Sequence, residues 1–288
     1  MSNKLNIALV IDNEPLYAPF IINKILNEID KKFCIKCVIF TEGRYRNISE
    51  KQEKQEITNL YGFFKSIMLE FFYSYKTAVL NHSSNSHFFI LENLNIDYKI
   101  TPNINTEEIV NFIKSNDVDI LFSLSHHILK KDILNAPKLV CINRHPGKLP
   151  DYAGLLPILY TMLDQKDKKS ITLTQTLHIM EEKLDAGKIL AEQEYIIPHH
   201  SSLFYAYNTV YQDIIRLFNI AINNFLLDKT KEQDITKRRY YSFPNKHVCR
   251  AFRKQYKIFT WKEYFNNMGL VDKLGGGINN NISVPLDS

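Results

Sequence analysis

The chain has 288 residues, 45% hydrophobic and 23% charged, with 36 basic against 31 acidic side chains and a net charge of +5. A chain of this length can bury roughly 75% of its unfolded surface, so its core needs neither disulfides nor metal. The charge excess is too small to argue for nucleic acid, four cysteines do not make a disulfide framework, and the absence of any long uncharged apolar run excludes a membrane-spanning helix. The N-terminus has no long apolar stretch of the kind a signal peptide carries, so a cytoplasmic location is expected.

Leu5 to Ile11 is a continuous apolar run that stops at Asp12-Asn13-Glu14-Pro15. A helical pattern follows from Tyr17 to Ile29, then a strand near Cys34 to Phe40. Strand, helix, strand opens a doubly wound, mostly parallel, Rossmann-like α/β sheet. Cys34 and Cys37 have C-x-x-C spacing, but a structural zinc site wants four ligands and no second pair lies nearby. Buried, reduced thiols are expected. Residues 48 to 58 are polar and highly charged. After them Leu60, Phe63, Phe64, Ile67, Met68, Phe71, Phe72 and Tyr75 recur at helical spacing, a wide apolar stripe on one helix. Packing on the domain or on a partner subunit is the plain reading. With Lys65 and Lys76 alongside, peripheral contact with a membrane surface also fits.

The pattern resumes with Thr106, which caps a helix running to Lys114 while Glu107 and Glu108 favour its positive end. Val118 to Leu124 reads as a buried strand, Asp132 to Leu134 as a helical turn, and Leu139 to Asn143 as another strand. Two strand-like runs, Ile171 to Met180 and Lys188 to Ile197, flank a loop, and one long helix is expected from Ser202 to Leu227. Beyond Lys229 the chain turns basic and aromatic, and the Gly/Asn-rich tail from Gly275 reads as frayed. The expected division is a catalytic domain over 1–200, with an inserted amphipathic helix near 58–80. The long helix and a small C-terminal α/β segment then occupy 201–288.

Chemistry concentrates between Cys141 and Leu190. Asn143, Arg144, His145 and Pro146 stand at the C-terminal end of a buried strand, where open α/β sheets bind ligands. An amide beside a titratable ring can stabilise an oxyanion and move a proton. Pro146 and Pro150 stiffen the following loop, and Gly147 and Gly154 allow close approach. Leu184-Asp185-Ala186-Gly187 places a carboxylate in a tight loop between apolar strands, where it must be hydrogen-bonded, metal-bound or functional. Alone, an Asn-x-His at a strand end is more often a capped turn. The ensemble shifts that balance.

The ensemble resembles the formyltransferases that use 10-formyltetrahydrofolate, which include methionyl-tRNA, glycinamide ribonucleotide and sugar-nucleotide enzymes. The resemblance rests on Asn143-Arg-His145-Pro146, Leu149-Pro150, Tyr152-Ala-Gly154, Pro157, Met180 and Asp185-Ala-Gly187, in order and at matching spacings. Ser125 to Leu134 is similar to the family's folate loop and the turn after it, so the likeness covers roughly 95 to 225. It implies that Asn143, His145 and Asp185 are catalytic. It also implies that His127, Leu129, Leu134, Met180 and Leu184 line the folate cleft, with no metal and no covalent enzyme intermediate. An amine would attack the formyl carbon directly, with His145 and Asn143 steadying the oxyanion. Asp185 would set the charge of His145 and assist proton removal. Three departures stand out: Gly147 where many relatives have Ser, Ala153 where many have Arg, and Thr174-Gln175-Thr176 where many have Gly-Val-Thr.

For the acceptor, Asp12 and Glu14 after the first strand would repel the phosphate of glycinamide ribonucleotide. The tRNA enzymes add a C-terminal β-barrel larger than the segment left here, and the hydrolases an N-terminal domain ahead of the first strand. Arg239-Tyr240-Tyr241-Ser242-Phe243-Pro244 resembles the C-terminal piece of bacterial sugar N-formyltransferases. The expected acceptor is therefore a nucleotide-linked amino sugar for surface polysaccharide, with Lys148 and Tyr152 as contacts and no nucleic acid partner. A homodimer through the C-terminal segment is expected, with the aromatic helix over the N-terminal domain near the acceptor cleft. Two alternatives stay open: a methionyl-tRNA-type enzyme, and a non-enzymatic folate- or nucleotide-binding relative.

Overall fold

Alternating apolar runs and amphipathic segments give alternating strands and helices in a computed structural model that describes residues 4–14, 18–42, 48–81 and 86–263. In chain order these are β1 (Leu5–Asp12), α1 (Ala18–Glu28), β2 (Phe33–Thr41), α2 (Glu50–Tyr61), α3 (Phe63–Asn81), α4 (His87–Asn93), β3 (Asp97–Thr101) and α5 (Glu107–Ser115). Then come β4 (Ile120–Ser123), α6 (Lys131–Leu134), β5 (Val140–His145), β6 (Ala153–Gly154), α7 (Pro157–Asp164), β7 (Ser170–Ile179) and β8 (Ile189–Pro198). The described chain closes with α8 (Leu203–Tyr211), α9 (Ile214–Leu226), β9 (Tyr240–Tyr241) and α10 (Lys246–Gln255). Pro15, Tyr17, Gly43 and the tail from Gly275 lie outside the described residues, as does the side chain of Lys76.

Seven strands form one sheet in the order β3-β2-β1-β4-β5-β7-β8. The first five are mutually parallel, while β7 runs antiparallel to β5 and β8 antiparallel to β7. This is the expected doubly wound α/β class. The chain reverses direction across the sheet between β1 and β4, and ligands bind outside the strand C-termini at such a switch point. Both faces of the inner parallel strands β1, β4 and β5 are buried, which is why they read as continuous apolar runs. α1 and α9 cover one face through Ile22, Ile25, Phe218 and Ile222, and α5 and α6 the other through Ile109, Ile113 and Ile133. A separate core joins α7, α8 and α10 to one side of α2 and α3, with Leu60, Phe72, Met162, Val210 and Phe252 at its centre.

The helices differ from expectation. The helix expected over Ser202–Leu227 is two helices, because its apolar residues serve two cores. Leu203, Ala206 and Val210 of α8 pack with α7 and α10, whereas Ile214, Leu217 and Phe218 of α9 pack on the sheet. No straight helix faces both. The charged segment 48–58 is itself helical, capped by the Ser49 hydroxyl accepting from the Gln52 N–H, and Gly62 at φ 82° ends it before α3 begins. The aromatic helix packs not on strands β1 to β5 but in the core that α7, α8 and α10 share. Lys65 Nζ donates to the Phe259 carbonyl at 3.0 Å and Arg253 donates to the Asn59 carbonyl, so α2 and α3 seat on the C-terminal segment. Phe64 and Phe71 remain 80% and 67% exposed. All four cysteines are free, with Cys37 buried and Cys34 only half-buried.

Candidate active site

The β4–β5 pairing sets Ser123 beside Asn143, and the β5–β7 pairing sets Asn143 beside His178 and His145 beside Thr176. With side chains alternating along a strand, Asn143 and His145 share one face at the C-terminal edge. There a cavity of about 270 Å³ opens. Its walls include Asn143, His145 and Asp185, together with His127, Leu129, Met180 and Leu184. Three expected residues stand elsewhere. Leu134 packs under the α5–α6 face. Lys148 is exposed with its Nζ 3.9 Å from Glu194 Oε1, and the Tyr152 hydroxyl donates to Asp164 Oδ2 at 3.0 Å. Tyr152 reaches the site only through its backbone.

That backbone contact matters. His145 Nε2–H donates to the Tyr152 carbonyl at 2.6 Å, which fixes the ring with Nδ1 turned toward Asp185 Oδ1 at 3.7 Å. Asp185 sits at φ 51° and its Oδ2 accepts the Gly154 N–H at 2.8 Å. Gly154, at φ 95°, is held against Tyr241 by the β6–β9 pairing, and a side chain there would meet the Tyr241 carbonyl at 2.2 Å. Gly147 is similarly confined: a Cβ would lie 2.6 Å from Pro157 Cβ and 3.0 Å from His145 Nε2. Burial works to raise the Asp185 carboxyl, but the His145 and His178 rings, the Gly154 amide and Arg238 hold it below its ordinary value.

His178 is a site residue the sequence reading passed over. It is 2% exposed, and its Nδ1–H donates to the Ile179 carbonyl at 2.9 Å. Burial pushes its pKa down to about 4, so the ring is neutral and its bare Nε2 accepts from Asn143 Nδ2 at 3.2 Å. That acceptor orients the Asn143 amide and leaves its second N–H directed elsewhere. One His within the apolar run Leu177 to Met180 carries no signal that separates it from a core histidine. Tyr207, Tyr211 and Tyr240 complete the cavity wall.

At the switch point itself, the Asp12 carboxylate accepts from Ser125 Oγ at 2.6 Å, from Thr41 Oγ1 at 2.8 Å and from the His126 ring. Burial would raise its pKa, but the His126 and His127 rings drive it far below the carboxylate range. One of the two charges after β1 is therefore already matched within the protein. Among the described residues, no cluster of three or more His, Cys, Asp or Glu could hold a metal ion, and no helix is long and apolar enough to cross a membrane.

A formyl transferase family model matches residues 69–213. Methionyl-tRNA formyltransferase of Wolbachia pipientis subsp. Culex pipiens is 30% identical over 134 residues, which are 46% of this chain and 40% of that protein. The bifunctional polymyxin resistance protein ArnA of Wigglesworthia glossinidia brevipalpis is 26% identical over 201 residues, 67% of this chain and 29% of that protein. The alignments thus span under half the length of these relatives. Among solved structures, the N-formyltransferase of Helicobacter canadensis, in complex with folinic acid and dTDP-3-aminofucose, superposes with a TM-score of 0.52. That match has 16% identity and covers 90% of this chain and 82% of that one. At this identity the likeness is one of fold.

Proposed function

The chain belongs to the formyl transferase family, and from that premise we propose that it moves a formyl group from 10-formyltetrahydrofolate to the amine of a nucleotide-linked amino sugar for surface polysaccharide. The observation that carries the chemistry is the convergence of Asn143, His145 and Asp185 on one cavity, with Asp185 3.7 Å from His145 Nδ1. The apolar wall of Leu124, Leu129, Met180 and Leu184 suits a flat pterin, and His127 adds a polar edge. The co-substrate supplies the activated formyl carbon. On attack the amine nitrogen forms the new C–N bond, and the carbonyl electrons move onto oxygen. The free N–H of Asn143 steadies that oxyanion. His145 Nδ1 takes the amine proton, Asp185 offsets the charge this creates, and the proton returns to the departing folate nitrogen as the old C–N bond breaks. No step calls for a metal or for covalent attachment to the enzyme.

Support for the sugar acceptor comes from the folinic acid and dTDP-3-aminofucose named for the Helicobacter relative. The curated relatives named as methionyl-tRNA formyltransferases favour tRNA as a second reading. We place the enzyme in the cytoplasm as a homodimer without nucleic acid, with peripheral membrane contact through the exposed face of α3 as a subordinate proposal. The test is incubation with 10-formyltetrahydrofolate and a panel of dTDP-, UDP- and GDP-linked amino sugars, with methionyl-tRNA in parallel, read by mass spectrometry. Formylation of a sugar is expected. Transfer to tRNA alone would replace the acceptor, and transfer to nothing would overturn the reading.

A further inference from the structure

Arg144 leaves β5 between Asn143 and His145, and nothing in the formyl-transfer chemistry uses it. Its side chain is 7% exposed and the residue lines the cavity. Two neutral groups hold it: Nε donates to Gln175 Oε1 at 2.7 Å, and the guanidinium lies 3.8 Å from the centre of the Tyr211 ring. Nη2 has no acceptor. Because Gln175 gives its Oε1 to Arg144, its amide nitrogen is turned away, and that nitrogen is buried without a partner as well. Both orphaned groups are donors only, and a guanidinium cannot shed its proton to escape burial. A buried cation held by neutral groups is costly, and an anionic partner offsets that cost.

Gln175 also stands where the chain departs from the pattern of the family it resembles, at Thr174-Gln175-Thr176. Resting on the formyl-transfer reading and deepening it, we propose that Arg144, oriented by Gln175 and Tyr211, binds an oxyanion carried by the amine acceptor. The ligand chemistry is a phosphate or carboxylate group, whose paired oxygens match the planar guanidinium fork in a way a lysine ammonium does not. Arg144 therefore selects the acceptor, while Asn143, His145 and Asp185 transform it.

Calorimetric titration of the full chain tests this, first with 5-formyltetrahydrofolate, then with pyrophosphate or malonate added to the folate-bound protein. Wild type binds folate and at least one oxyanion, and the preferred probe tells phosphate from carboxylate. Arg144→Gln retains folate affinity and weakens oxyanion binding about tenfold or more, the loss expected for a charge-assisted contact. If that variant does not fold, Arg144→Lys and Gln175→Leu carry the test, and both weaken oxyanion binding. Equal oxyanion affinity in wild type and the folded variants overturns the proposal, as does a wild type that binds folate and neither oxyanion. A wild type that fails to bind folate instead defeats the formyl-transfer reading on which the proposal rests.

Discussion

Acidification from pH 7 to pH 4 should destabilise this protein through His178, at a pH above the range in which the depressed carboxyls Asp12 and Asp185 act. The ring is neutral in the fold, with its pKa pushed to about 4 by burial, although the nearby Asp185 carboxylate pulls the other way. In the unfolded chain the same ring titrates near 6.5. Between those values the unfolded state binds a proton that the folded state does not, so stability falls as pH falls. The contribution is complete above about 6.5, declines by about 1.4 kcal/mol per pH unit, and levels off below about 4, a total of roughly 3 kcal/mol. His87 adds a similar loss, because it is 5% exposed with both ring nitrogens unpartnered, and burial lowers it to about 4. Asp12 and Asp185 act at lower pH: their depressed values give stability that is present above the ordinary carboxylate range and lost only as pH falls through the lowered ones. Urea unfolding at half-unit intervals from pH 7 to 4, with wild type and His178→Gln, separates the contributions. The slope should fall by close to one proton in His178→Gln. An unchanged slope would refute the neutral, buried assignment. Activity should decline over the low-pH part of the same window, since a protonated His178 no longer accepts from Asn143.

His145→Ala and Asp185→Ala should each lose at least ~100-fold in turnover while remaining folded, as expected when a general acid–base group is removed. Wild-type rates in either would remove these residues from the chemistry. Gly147→Ser should cost roughly 1–3 kcal/mol and slow the enzyme, because its Cβ meets Pro157 and crowds His145 Nε2. Thermal melting should rise with 5-formyltetrahydrofolate by mass action and be unaffected by a chelator. Phe64→Asp with Phe71→Asp should halve the solution mass if the exposed face of α3 joins two copies, and an unchanged mass with lost liposome co-sedimentation would assign that face to lipid.

The parallel strands were legible because burial on both faces leaves uninterrupted apolar runs, as at Leu5 to Ile11 and Val118 to Leu124. The short strand Asp97–Thr101 was not, since it lies at the sheet edge and keeps Asp97 and Ile100 exposed. Helix periodicity located α3 and the α8–α9 segment but missed α2 and the break between α8 and α9. The pattern records that a face is apolar, not that its two halves meet different cores. In the candidate site, the family resemblance picked out Asn143, His145 and Asp185, and all three line one cavity. Lys148 and Tyr152 were chosen for nearness in sequence, yet the loop turns both side chains to other partners. His178 and Arg144 acquire their meaning only from strands β5 and β7 lying side by side, a pairing that local sequence does not encode.

The bond from the Gly154 amide to Asp185 has a consequence for how competence is distributed along the chain. Gly154 is placed by Tyr241, so the orientation of a carboxylate at 185 depends on a strand more than fifty residues downstream. The span matched by the family model stops at 213 and contains all three residues of the trio. A chain ending there would keep Asn143, His145 and Asp185 and lose the clamp on the carboxylate. Recognition of the motif and assembly of the site are thus separate events, and during synthesis the second must wait until the ribosome has passed Tyr241.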